Sequence, residues 1–187
     1  MAKIYYYYGT MNSSKTAQIL MRAHNYQQAN INIILAKPKV DTRTNTMWSR
    51  IGIEAPCITT EELFQYEDAS LKKNKIIIID EAQFLTEKQV NKLVYYADTL
   101  NIIVMCYGLK TDYTGKLFEG SKRLIEVANE LHKIETTCWC GEEAEFNALI
   151  CNDKIKTKSN NNNNIEIGDE QYVPLCRKHY FEGRFKR

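Results

Sequence analysis

No apolar run in this 187-residue chain approaches the roughly 20 residues that a membrane-spanning helix needs. The opening "MAKIYYYY" carries one lysine and no small-residue cleavage site behind an apolar core, so no secretory leader is expected. Charge of one sign is also scarce: 25 Lys and Arg face 23 Asp and Glu, a net of +2. That balance removes the electrostatic case for nucleic acid or a membrane surface as partner. The expectation is a cytoplasmic protein whose six cysteines are reduced or metal-bound rather than paired. Wholesale disorder is excluded as well, because a hydrophobic content of 44% builds a real core.

A further absence is more informative. The stretch "YYYYGTMNSSKT" fits the phosphate-loop pattern G-x-x-x-x-G-K-[ST] at Gly9, Lys15 and Thr16, but Ser14 stands where the second glycine belongs. An apolar strand is expected before Gly9 and a helix from Lys15. Backbone N–H groups of Gly9, Thr10, Met11, Asn12, Ser13 and Ser14 then face an anion, helped by the positive end of the helix dipole. Lys15 is expected to neutralise the β- and γ-phosphates of ATP, and the Thr16 hydroxyl to ligate Mg²⁺. Ser14 adds a Cβ and hydroxyl in a crowded place, with backbone strain of about 1–3 kcal/mol that is expected to weaken ATP binding about ten- to a hundredfold where unrelieved. Its hydroxyl, donating to a phosphate oxygen, is expected to recover part of the loss and keep the site functional.

Downstream, strands and helices alternate. Strands are expected at residues 3–8, 31–36, 75–80 and 101–108, and helices from 15 to about 29, from 59, from 86 to about 100, and over 117–131. Thr59 with Glu62, and Thr86 with Gln89, are at capping-box spacing. Residues 41–52 have no period and suggest a polar loop. Four consecutive isoleucines before Asp80 suit a strand covered on both faces. The pattern is that of an α/β core with a mainly parallel sheet flanked by helices, here over residues 1–134. From about 135 to 187 the strands shorten and cysteines gather, which suggests a second, small domain; the Asn run at 160–164 is expected to be a loop tip.

Asp80 and Glu81 end the isoleucine strand, where a phosphate loop needs its acidic partners. Asp80 is suited to hold Mg²⁺ directly or through water. Glu81 is suited to serve as general base on a substrate hydroxyl. Cys57 and Cys106 lie in apolar contexts and are expected in the core. His24 and His132 are expected to be structural helix residues.

Five separated blocks, "YYYYGTMNSSKT", "DTRTNTMWSRIG", "IIIIDEAQFL", "CYGLKTDYTGKLFEGS" and "YVPLCRKHY", together resemble the thymidine kinases of the bacterial and human-cytosolic type, in order and over nearly the whole chain. The resemblance implies transfer of the γ-phosphate of ATP to the 5′-hydroxyl of thymidine, or of deoxyuridine. It also implies a P-loop core, a small zinc domain, a homotetramer and feedback inhibition by thymidine triphosphate. Glu81 is then the catalytic base, and Asp80, Ala82 and Gln83 border the nucleotide and Mg²⁺. Phe84 and Phe118 wall the thymine, with a helix-core role as the alternative for Phe118. A lasso-like loop ending at Tyr172 reads the base edge with backbone groups around Ile165, Ile167 and Gly168, although Tyr172 also suits a plug in the small domain's core. Asp41 and Arg43 fall in a segment that moves near the phosphates in the family, or form a solvated loop.

Cys138-x-Cys140 and Cys176-x-x-His179 make a Cys₃His set suited to structural Zn²⁺. The first pair is one residue shorter than the C-x-x-C of many relatives, and Cys151 is a nearby thiol able to stand in. A rival reading takes Ser14 as the mark of a catalytically weakened, ATP-binding regulatory module.

Overall fold

A computed structural model describes residues 2–39, 45–156 and 171–186. The first half runs β1 (Ile4–Tyr8), α1 (Lys15–Gln28), β2 (Ile33–Lys37), β3 (Thr46–Trp48), β4 (Glu54–Pro56), β5 (Ile58–Thr59), α2 (Thr60–Leu63), α3 (Asp68–Leu71) and β6 (Ile76–Ile79). A 3₁₀ turn (Ala82–Phe84) leads to α4 (Glu87–Asp98), β7 (Ile103–Gly108), α5 (Glu119–Val127) and β8 (Glu130–Lys133). Then come β9 (Phe146–Cys151), β10 (Lys154–Lys156), β11 (Gln171–Leu175) and α6 (Arg177–Glu182).

Among the described residues, six strands pair in parallel in the order β5-β2-β6-β7-β1-β8. The isoleucines of β6 explain why such a sheet is stable. Ile77 and Ile79 pack with α4 and α5 residues such as Leu93 and Leu124, while Ile76 and Ile78 pack with Ile19 and Leu20 of α1. Side chains alternate across a strand, so an unbroken apolar run feeds both layers. The tyrosine run of β1 divides in the same way. Tyr6 pairs with Tyr8 on one face, while Tyr7 lies on the other between Tyr107 and His132, at 4.5 and 4.8 Å between ring centroids.

Both capping boxes form, Thr59 with Glu62 and Thr86 with Gln89. Cys57 and Cys106 are buried in the core. Two expectations are corrected. Residues 41–52 are not all loop, because β3 pairs antiparallel with β4 and buries Met47 under α1. Nor is 117–131 one helix. It ends at Val127, Asn129 exchanges bonds with Ile4, and β8 then adds to the sheet beside β1. His132 therefore lies on a strand. Beyond it, β10-β9-β11 form an antiparallel sheet over a separate cluster that includes Cys138, Ala148, Leu175 and Tyr180.

Candidate active site

The ends of β1, β6 and β7 are adjacent in the sheet, so Gly9, Asp80 and Gly108 come together at its C-terminal edge. Ligands of open α/β sheets gather at such edges. Gly9 bonds through its N–H to the Gly108 carbonyl at 3.2 Å. A Cβ on Gly9 would lie 2.6 Å from both the Ile134 carbonyl and Ser13 Oγ, so close packing alone demands glycine there.

Ser14 occupies the N-cap of α1 at φ 58°, ψ 18°, the left-handed region. This is the reason for the usual glycine, and the serine adopts the same backbone path at a cost of about 1–2 kcal/mol. Its side chain is exposed, with Oγ 3.4 Å from Gln18 Nε2. The backbone strain expected of a serine at this position is thus present, carried within the folded loop. Asn12 is also left-handed, at φ 64°, and its Oδ1 accepts from Arg50 on the turn between β3 and β4.

Lys15 is buried, and its Nζ donates to the Thr10 carbonyl at 2.6 Å and to Ser13 Oγ at 3.1 Å. Burial pulls its pKa below the usual lysine range, against the opposing pull of Glu81 and Asp80. Thr16 Oγ1 donates to Asp80 Oδ2 at 2.7 Å, which brings together the two groups expected around Mg²⁺. Asp80 is 4% exposed. Burial, and then the neighbouring Glu81 carboxylate, push its pKa up to about 7 despite Thr16, the Glu81 N–H and Lys15. A hydroxyl and a carboxylate are hard oxygen donors of the kind Mg²⁺ takes, so the pair fits that ion.

Glu81 is half-buried and left-handed at φ 51°. Gln83 Nε2 donates to its Oε2 at 2.6 Å, and Gln83 Oε1 accepts from Leu109 N–H at 3.0 Å. One amide therefore braces the acid against the end of β7. Ala82 and Gln83 are buried in the 3₁₀ turn. Phe84 follows and meets Phe118, the N-cap of α5, edge to face at 5.8 Å. The two rings expected to wall a base are thus together. Tyr172 is half-buried on β11, opposite Leu149. Ile165, Ile167 and Gly168 lie outside the described residues, as do Asp41, Arg43 and the Asn run.

Cys138, Cys140, Cys176 and His179 converge, with their ligand atoms all within 4.8 Å of one another. His179 Nδ1 lies 3.6 Å from Cys138 Sγ and 3.4 Å from Cys176 Sγ, and the Cys140 and Cys176 sulfurs are 3.9 Å apart. Tetrahedral zinc with bonds of about 2.0–2.3 Å has ligand–ligand edges of roughly 3.5–3.8 Å, so the set fits that ion. Burial opposes a thiolate at Cys138, yet the amides of Cys140 and Cys176, then His179 and Cys140, outweigh it and bring its pKa down to about 6. Trp139 stacks on His179 at 4.2 Å. Cys151 is on β9 and stands apart from this group.

Several contacts have no counterpart in the expectations from sequence. Asn147 Oδ1 accepts from Met11 N–H at 2.7 Å, and Tyr180 donates to the Tyr113 carbonyl at 2.6 Å. They join β9 and α6, respectively, to loops of the parallel sheet. Asp112 Oδ1 organises the loop before Phe118 by accepting from Thr114 and Lys116. The one sequence signal was an isolated asparagine inside "EFNALI", since a buried amide in a strand must find a partner.

The thymidine kinase family model matches residues 2–180 of this chain. The thymidine kinase of Enterobacteria phage T4 is 43% identical over 189 residues, covering 97% of each chain. That of Zymomonas mobilis is 40% identical, again covering 97% of both. That of Lactococcus lactis is 39% identical, covering 97% of this chain and 98% of the relative.

Proposed function

This chain belongs to the thymidine kinase family, and on that premise we propose which of its groups carry the transfer of the γ-phosphate of ATP to the 5′-hydroxyl of thymidine. Phosphoryl transfer needs positioning and charge neutralisation more than covalent chemistry. Backbone N–H groups between Gly9 and Thr16 cradle the triphosphate, and Lys15, seated by the Thr10 carbonyl and Ser13 Oγ, turns its remaining N–H to the β- and γ-oxygens. Thr16 and Asp80 would hold Mg²⁺, which when bound would neutralise charge developing on those oxygens. Glu81 takes the proton as the 5′-oxygen bonds to the γ-phosphorus and the bond to the bridging oxygen of ADP breaks. Gln83 keeps the Glu81 carboxylate in place.

Thymidine is neutral, so its affinity comes from stacking and aimed hydrogen bonds in a closed pocket. Phe84 and Phe118 supply the aromatic wall, and Ile165, Ile167, Gly168 and Tyr172 close over the base; deoxyuridine enters the same way. The observation that carries this reading is the pairing of Thr16 with Asp80 beside a buried Lys15. Ser14 supports no decayed module, because its backbone already takes the path glycine would take.

The same reading divides the chain into a kinase domain over 1–134 and a zinc-fastened, substrate-covering domain over 135–187. On family grounds it also includes a cytoplasmic homotetramer inhibited by thymidine triphosphate. The decisive experiment measures thymidine-dependent ADP release by wild type and Glu81→Gln. Loss of a positioned base typically costs about 10²- to 10⁴-fold in rate. A variant that keeps most of its kcat removes Glu81 from the role of base.

A further inference from the structure

The Thr10–Met11 peptide of the phosphate loop is held at both of its polar ends. Lys15 Nζ takes the Thr10 carbonyl at 2.6 Å. On the other side of the same amide plane, Met11 N–H donates to Asn147 Oδ1 at 2.7 Å, across 136 positions of sequence. Because the donor is a backbone N–H, the facing atom must be the amide oxygen of Asn147. Asn147 is 4% exposed, and the next two residues of β9, Ala148 and Leu149, are fully buried apolar side chains. An amide at such a place is costly unless it is satisfied. Here it is directed at the loop.

We propose that Asn147 is a positioning residue for phosphoryl transfer, fixing the plane of the Thr10–Met11 peptide and so the resting place of the Lys15 ammonium. The inference rests on Lys15 as the ligand of ATP phosphates. A peptide unit is planar, so holding its N–H also fixes where its C=O points. Lys15 is seated by that C=O and by Ser13 Oγ. Without the tie, the peptide is free to turn its carbonyl away and leave a buried ammonium one partner short. Asn147 sits opposite Pro174 in the β9–β11 ladder, two residues before Cys176. The sheet fastened by the Cys–His cluster therefore steadies the phosphate loop through this side chain.

Asn147→Leu keeps the approximate volume and deletes the acceptor, whereas Asn147→Asp keeps an acceptor oxygen in the same place. The full chain is compared by amide hydrogen exchange at Met11, by ATP affinity without thymidine, and by zinc content. In Asn147→Leu, Met11 should exchange faster and ATP should bind about three- to tenfold more weakly, as for loss of one such hydrogen bond, with zinc retained. Asn147→Asp should restore protection at Met11. Unchanged exchange at Met11, or unchanged ATP affinity, in Asn147→Leu overturns the inference. Loss of zinc with faster exchange throughout β9 and β11 also overturns it, by assigning Asn147 to the fold of the small sheet. Lys15→Ala is the reference for the underlying reading: if it binds ATP as tightly as wild type, the assignment of Lys15 fails and the inference with it.

Discussion

Thr16 Oγ1 and Asp80 Oδ2 meet at 2.7 Å across 64 positions of sequence, joining the first turn of α1 to the end of β6. The carboxylate is buried, and its pKa is raised from 3.8 to about 7 by burial first and Glu81 second. A group whose pKa rises on folding contributes stability that is complete below its unfolded pKa and is lost as pH climbs through the folded one. For protein free of nucleotide and Mg²⁺, Asp80→Asn should therefore gain stability relative to wild type between about pH 4 and 7, with the difference levelling at a few kcal/mol above that. Urea unfolding at a series of pH values measures it. A constant difference across the range would contradict the buried-acid account.

Ser14 makes a prediction about where strain is carried. Its left-handed backbone costs about 1–2 kcal/mol, but glycine would return about 0.5–1 kcal/mol as chain entropy in the unfolded state. Ser14→Gly should change stability by no more than about 1 kcal/mol and leave ATP affinity within about threefold. Ser14→Val places a β-branched residue at a positive φ and should cost more in both. Thermal unfolding and calorimetry with ATP decide the matter, and a tenfold gain in affinity for the glycine variant would mean that the Ser14 side chain crowds the phosphates.

The Cys₃His cluster should copurify with about one zinc per chain. Cys176→Ser, or chelation, should loosen β11 and α6 and raise the KM for thymidine. ATP affinity should fall no further than in Asn147→Leu, because the loop retains its contacts within the first sheet. Elemental analysis of freshly purified protein is the first check. Metal retained in Cys140→Ser but lost in Cys151→Ser would redraw the ligand set.

Gly120 opens α5 against the 3₁₀ turn, where an added Cβ would stand 2.6 Å from the Leu85 carbonyl and 2.7 Å from that of Ala82. Both contacts are backbone, so no side chain can swing aside. Gly120→Ala should destabilise by about 1–3 kcal/mol, as overpacking does. It should also raise the KM for thymidine, since the displaced turn carries Phe84 and the displaced helix begins at Phe118. Denaturant midpoints and steady-state kinetics on one preparation test both effects.

What was legible in the sequence was local. Four isoleucines in a row imposed a strand buried on both faces, and Thr59 and Thr86 announced their helices through side chains only three residues away. Gly9, Lys15, Asp80 and the Cys–His spacing named groups that the fold brings together. The three-residue strand β3 was too short to show a period, and β8 was hidden because residues 117–131 keep an apolar rhythm past the end of α5. The bond from Met11 to Asn147 and the one from Leu109 to Gln83 depend on tertiary placement, which no local pattern encodes.

The tie between Met11 and Asn147 also has a consequence for the order in which a newly made chain becomes competent. Synthesis runs from the N-terminus at about 5–20 residues per second, so about 7–27 seconds pass between the emergence of the phosphate loop and that of its anchor 136 residues later. Cys176 and His179, which complete the Cys–His cluster, follow later still. A nascent chain can assemble the parallel sheet before then, but its nucleotide loop waits unbraced. Stalling the ribosome before position 147 would hold a folded sheet short of a finished kinase.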